Sequence, residues 1–373
     1  TSLILLRVTL QPFVLSLGVS MAFVGLLETF GGRGGVITSL IQPFAGWLSD
    51  RKGRRLFVIL GSAFSFIALT FSVFASHFQM WIWLAPALMA LGLSGISLPA
   101  ADSTAAESVE INERSMAFSV IMFFSLLPGI FASVLGGFIA DKFGFTSVFL
   151  LGAVLQVFNF ILIWFLVKET LQTYSRINFS ELVKSFKSLL TPIKNLRGFY
   201  IAITSDSFFW AIGAAILSGL LRKTYNFSNF QLGMMSSILF VSSACSQLPM
   251  GLLVNRYGCK KLLLLSEIIG ILMMAGWLTF SSFEAFAFLQ ILMGLVVTTW
   301  VPAIKTFLAN SVPEESRAEA LGKLAAFRGL VGFPAPYLGG LLYDTMGFAA
   351  PITAGLIGVI FTLILIFLLV HDP

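Results

Sequence analysis

The sequence predicts an all-α membrane protein, with twelve transmembrane helices arranged as two pseudo-symmetric six-helix bundles, and three observations carry that prediction. The first is composition. Of 373 residues, 57% are hydrophobic, 11% are charged and 39 are Phe, whereas soluble chains have about one quarter charged residues. A water-soluble enzyme is thereby excluded. The second is the succession of apolar segments, most of them near the roughly 20 residues that cross a bilayer as a helix. The third is an internal repeat. Pro99, Arg114, Gly136, Gly137, Asp141 and Gly144 recur at a constant offset of 203 as Pro302, Arg317, Gly339, Gly340, Asp344 and Gly347.

Taken in order, apolar stretches fall near 2–28, 31–49, 56–76, 80–109, 114–140 and 146–168, then near 198–222, 230–254, 260–281, 284–311, 317–343 and 348–370. Backbone groups cannot stay unpaired in lipid, so these are read as helices. Period-two alternation is absent, so a barrel is not expected. Residues 1–168 are assigned to an N-terminal bundle, 169–197 to a linker and 198–373 to a C-terminal bundle. The linker, with NFSELVKSFKSLL inside it, reads as a basic amphipathic helix on the inner membrane surface. Pro43, Pro128, Pro249, Pro334 and Pro336 inside spans are expected to bend or break helices. Arg7 to Gly46 covers 39 residues where the corresponding Arg197 to Gly251 covers 54. Either the second helix is short and irregular around GGRGG, or residues are missing from the chain.

The formal charge of +6 does not indicate nucleic acid, because the basic residues cluster in short loops between apolar segments. Arg51, Lys52, Arg54, Arg55, Arg114, the 168–197 stretch, Arg256, Lys260, Lys261, Arg317 and Lys323 share one side, against Arg33, Lys142, Arg222 and Lys223 on the other. By the positive-inside rule both termini are expected in the cytoplasm. The chain opens at Thr1 and shows no signal-peptide cleavage pattern. Cys245 and Cys259 are too few for a disulfide scaffold or a thiolate metal site.

The segment from Gly46 to Arg55, GWLSDRKGRR, has a degenerate second copy, GLLVNRYGCK, at Gly251 to Lys260. Gly46 and Gly53 permit close helix approach and a tight turn, and Asp50 can receive basic side chains or a helix N-terminus. With this motif between helices two and three, the whole chain resembles the major facilitator superfamily of secondary transporters. The resemblance implies the major facilitator fold, and a gating loop in which Asp50, Arg51 and Arg54 lock against helix eleven when the protein opens outward. The second copy has Asn255 in place of Asp50, so that latch is expected to be lopsided. Two features depart from the proton-driven drug exporters of the family. Helix four lacks an arginine, and Ala132-Ser133 replaces the Gly-Pro pair before Gly136-Gly137.

Ionisable groups inside spans cost roughly 2.5–3.5 kcal/mol each on insertion scales, so they mark paths or partners. Those here are Glu28, Asp102, Glu107, Asp206, Glu267, Lys305 and Arg328. The repeat puts Asp102 and Lys305 at equivalent positions, three residues after Pro99 and Pro302. The resemblance implies that helices four and ten line the path, where the two are expected to pair or to hold a polar substrate. Alternatively each neutralises a local neighbour. Asp206 and Trp210 share a face at a spacing of four, an arrangement that binds a cation or carries a proton unless a neighbouring serine satisfies the acid. Gln11, Val14, Gly18, Met21, Gly25 and Glu28 fall on one helical stripe, lining the path or packing helices. Arg328 is a partner for an acid or an anion, Trp300 a wall residue, and Glu267, on helix nine, a weaker candidate because helix nine lies outside the cavity in the family.

No GxxxxGK[ST], HExxH or GxSxG pattern occurs, so ATP-driven transport and membrane enzymology are not expected. No cofactor or metal is implied. The reading is a monomeric alternating-access transporter in the cell membrane, coupled to protons and exporting small amphipathic compounds. Uptake of an organic anion or sugar is the alternative. A receptor or lipid scramblase on the same fold is the different class.

Overall fold

The computed structural model describes residues 1–32, 35–107, 114–171, 193–313 and 317–372. Its elements are helices, which group into twelve columns. The first bundle holds α1 (Ser2–Ser16), α2 (Met21–Gly31 and Val36–Lys52), α3 (Arg54–Phe78), α4 (81–107, in four short pieces), α5 (Arg114–Phe143) and α6 (Phe145–Leu166). The second holds α7 (197–225, with a 3-10 turn at Ala214–Ile216), α8 (Asn229–Tyr257), α9 (Cys259–Thr279), α10 (Phe283–Ser311), α11 (Arg317–Gly332 and Ala335–Met346) and α12 (Ala349–Leu369). Among the described residues, nine helices meet both the length and the hydropathy needed to cross a bilayer. Columns α1, α2 and α11 fall short because they are brief or broken. The expected 169–197 amphipathic helix lies almost wholly outside the described residues, as do Arg33 and the side chains of Glu107, Arg114, Asn255 and Arg317.

Two expectations about the first columns are corrected. The apolar run 2–28 is two helices, because Gly18 takes φ +77° and Ser20 caps a new helix by accepting from the Phe23 N–H. Met21, Gly25 and Glu28 therefore belong to α2 and share no stripe with Gln11 and Val14. The second column is broken between Gly31 and Val36, in line with the reading of an irregular second helix. The shortfall in the repeat does not sit in α2: Ser16 to Gly46 spans 30 residues, against 26 from Tyr225 to Gly251.

The bundles meet along α2–α11 and α5–α8, and the repeat explains how they close at the end far from the 46–55 motif. Asp141 at the end of α5 accepts from the Asn229 and Phe230 N–H groups at 3.1 and 2.8 Å, and from Asn229 Nδ2 at 2.7 Å. Its counterpart Asp344 on α11 accepts from the Met21 and Ala22 N–H groups at 3.1 and 2.7 Å. Each carboxylate thus satisfies the orphan donors at the start of a helix in the opposite bundle. Lys223 pairs with Asp344 at 3.2 Å. The paired glycines set the distance of approach. A Cβ on Gly137 would lie 2.2 Å from Asn229 O, and one on Gly340 would lie 2.2 Å from Met21 O, so neither position tolerates a side chain while this end is closed.

At the motif end, Gly53 breaks α2 from α3 with φ +106°, a conformation glycine accepts readily. Arg54 reaches back to Asp50 at 3.3 Å, and the Arg51 guanidinium lies 4.1 Å over the Trp47 ring. The Arg55 side chain donates to Trp164 O at 2.6 Å. Glu169, just past α6, accepts from the Arg54 and Arg55 N–H groups at 2.9 and 3.2 Å and so caps α3.

Candidate functional site

Between the bundles lies a cavity of about 790 Å³, large enough for a drug-sized molecule. Both halves contribute. Arg7, Glu28 and Ser94 line it from the first, and Asp206, Trp210, Trp300 and Arg328 from the second.

The wall from the second bundle is built around α7, on the turns just before its 3-10 break. Asp206 is 4% exposed and Glu267, facing it from α9, is 1% exposed. Their carboxyls meet at hydrogen-bonding range. The packing that brings α9 this close is visible one turn along: a Cβ on Gly270 would lie 2.6 Å from Trp210 Cζ2, so the glycine leaves room for the indole. Arg328 on α11 stacks 4.5 Å over the Trp300 ring, and its Nε donates to Ser207 Oγ at 2.7 Å. A guanidinium held face-on by an aromatic ring and edge-on by a hydroxyl has its orientation fixed before any ligand arrives. The arrangement can take an amphipathic molecule: indole and aliphatic surface for its body, one cation and one carboxyl for its polar group.

On the opposite wall Gln11 joins the bundles. Its amide nitrogen donates to Glu28 Oε1 at 2.8 Å and to Ala215 O at 2.7 Å, while its oxygen accepts from the Gly219 N–H at 2.9 Å. Ala215 lies in the 3-10 turn of α7, where backbone groups leave the α-helical ladder and need outside partners. Gln11 supplies them.

Five of the candidate residues thus line this cavity, Glu28, Asp206, Trp210, Trp300 and Arg328, and Gln11 sits behind the wall, bonded to Glu28 and Ala215. Asp102 and Lys305 do not join them. Both are exposed, on α4 and α10 toward the motif end, where the charge of Lys305 acts on Asp102 although no salt bridge joins them among the described residues. Two groups count for more here than the sequence reading gives them. Glu267 reads as peripheral because α9 is an outlying helix, although an acid three residues before a glycine in an otherwise apolar span is a signal of close approach. Ser207 looks like an ordinary helix hydroxyl until Arg328 is placed beside it.

Comparison with known proteins agrees with this architecture. A sequence profile described as Major Facilitator Superfamily matches residues 1–204 and 198–373. The chain is 25% identical over 326 residues to the multidrug resistance protein MdtG of Salmonella arizonae, covering 86% of this chain and 80% of that protein. Among solved structures, a D-xylose–proton symporter superposes with a TM-score of 0.71 at 15% identity, covering 100% of this chain and 94% of that one. The human organic anion transporter MFSD10 does so with a TM-score of 0.67 at 16% identity, over 98% and 96%. With a profile match that spans both bundles, and with twelve helices repeated six and six around a shared cavity, the chain belongs to the Major Facilitator Superfamily and is a multi-pass membrane transporter rather than an enzyme.

Proposed function

We propose that this protein is a monomeric proton-coupled secondary transporter of the cell membrane that exports small amphipathic compounds by alternating access, with both termini in the cytoplasm. The observation that carries the reading is the cavity lined by both bundles and packed shut at the end far from the motif. A cavity at the interface of two repeats, closed on one side, is what rocking of one bundle against the other requires. Leu98, Val297 and Phe333 line the cavity and are 52%, 37% and 39% exposed, which supports access from the motif end. Basic loops on that side support a cytoplasmic motif end.

Export of amphipathic compounds is supported by the mixed lining of indole rings, hydroxyls and opposite charges, and by likeness to proteins named for multidrug resistance. Glu28 and Asp206 offer cavity carboxyls for the coupling proton, and Asp102 and Lys305 stand at its exposed approach. The loop of Gly46, Asp50, Arg51, Gly53, Arg54 and Arg55 is assigned the gate on the motif side, and the segments 1–168, 169–197 and 198–373 the roles of bundle, linker and bundle. Transport of an organic anion is the second reading, favoured by Arg328 on its Trp300 platform.

The test uses purified protein in proteoliposomes loaded with a fluorescent amphipathic dye. Counterflow exchange, and dye movement that reverses when the imposed pH gradient is reversed, are expected. Absence of exchange, with labelled lipid crossing instead, would replace the transporter by a scramblase.

A further inference from the structure

The carboxyls of Asp206 and Glu267 lie in contact with each other, yet Asp206 Oδ1 and both oxygens of Glu267 find no protein donor in hydrogen-bond geometry among the described residues. The indole N–H groups of Trp210 and Trp300 lie near Glu267, and that of Trp300 is itself left without an acceptor. Two carboxylates are acceptors alone, so a contact between them has no hydrogen to share unless one is protonated. Neither indole meets these oxygens in hydrogen-bond geometry, so a proton shared between the two carboxyls is the donor that lies nearest to them.

The surrounding charges fix how many protons answer that demand. The columns packed against the pair bring one cation to this depth without an acid of its own, Arg328 from α11: α12 has no charged residue, Arg256 ends α8, Glu284 opens α10 and Lys305 lies toward its motif end, and across the cavity Arg7 of α1 and Glu28 of α2 offset each other. With no proton the cluster carries two negative charges against one positive, a net buried charge that costs several kcal/mol. With two protons Arg328 is left uncompensated. With one, the cluster is neutral.

We propose that Asp206 and Glu267 form a proton-storage dyad holding one shared proton, with Arg328 as its fixed counter-ion and Glu267 as a proton-binding residue outside the cavity wall. The proton sits between a Glu267 Oε and an Asp206 Oδ. It arrives and leaves as a hydrated proton through Asp206, because Asp206 lines the cavity and Glu267 does not. An anionic group that draws the Arg328 guanidinium toward itself removes the compensating charge from the dyad, and a second proton is then taken up. This deepens the proton-coupled reading above and rests on it for its role in transport, although the dyad itself stands or falls separately.

Infrared difference spectroscopy on the reconstituted full chain at neutral pH tests the dyad without any ligand. Subtracting the Glu267→Gln spectrum from that of the unsubstituted protein is expected to isolate one protonated-carboxyl stretch that shifts in deuterium oxide. Glu267→Asp is expected to retain it. Arg328→Gln is expected to increase it about twofold, as the pair takes a second proton in place of its lost counter-ion; a purely structural Arg328 would leave the band unchanged. A difference spectrum with no such band from a Glu267→Gln protein whose thermal melt shows it folded, or an unchanged band in Arg328→Gln, overturns the proposal. If the dyad signal is present but dye flux ignores an imposed pH gradient, proton-coupled export fails and the dyad survives.

Discussion

The two capping carboxylates at the far end set how firmly the bundles close there, and their removal has a calculable effect. In Asp344→Asn the side chain keeps one acceptor oxygen but loses its charge, so one of two bonds to the start of α2 goes and the other is no longer charge-assisted. A charge at a helix N-terminus contributes about 0.3–1 kcal/mol when exposed and up to about 2 kcal/mol when partly buried. The Asp344 side chain is 22% exposed and also pairs with Lys223, so about 1 kcal/mol, between those limits, is the appropriate figure, close to a fivefold shift toward the opened far end. Asp141→Asn acts on the other arm of the repeat, with a third bond to Asn229 Nδ2, and should cost somewhat more. The two caps share no partner, so their effects add. The double variant is predicted to shift the closed-to-open ratio by roughly thirtyfold or more. Spin labels at cysteines replacing His77 and Ser281, both exposed on the far-end rim of opposite bundles, report the distance in a Cys245→Ser background, since Cys245 is itself exposed. A double variant whose distance distribution matches that of the parent would refute the idea that these caps hold the end shut.

Other consequences follow from the same contacts. Gly340→Val, with its Cβ forced to within 2.2 Å of Met21 O in the closed state, is expected to lengthen the same spin-label distance and to abolish dye flux, while the purified protein still melts cooperatively. Glu169 loses some solvation by burial, which raises its pKa, but four backbone N–H groups, from Leu171, Arg54, Arg55 and Thr170, outweigh that and hold its carboxyl below the ordinary range. A depressed carboxyl stabilises the fold above its unfolded pKa and loses that contribution as pH falls through the folded one. Glu169→Gln should therefore lower the thermal midpoint near neutral pH, and the difference should close as the buffer is taken below the acid's range. Gly53→Ala, at φ +106° and ψ +139°, is predicted to cost roughly 1–3 kcal/mol through backbone strain, read as a lower thermal midpoint.

Much of this architecture is written in the sequence because lipid enforces it. Apolar runs, basic loops and the 203-residue repeat give the helices and their pairing by bundle, since each reflects a constraint acting on many residues at once. The boundary between α1 and α2 is not legible: it rests on Gly18 and the Ser20 cap inside an unbroken hydrophobic run, whereas the more conspicuous GGRGG breaks a helix instead of ending one. Asp141 and Asp344 are visible as a repeated pair, but their partners are backbone groups more than 80 residues away, which no local pattern encodes. The same holds within the site. Asp206 and Trp210 declare themselves by spacing, and Arg328 and Trp300 by type. Only the packing of α9 on α7 through Gly270 shows that Glu267 belongs with Asp206.

The central claim is that the two bundles rock about the cavity so that its ends open in turn, and locking one end tests it most directly. Cysteines at Ala22 and Thr345, on the packed far ends of α2 and α11, joined by a short cleavable thiol crosslinker in proteoliposomes, would fix the bundles in the state described. Dye exchange is expected to stop on crosslinking and to return when the linker is cleaved. Exchange that continues at its full rate with the far end covalently closed would contradict it.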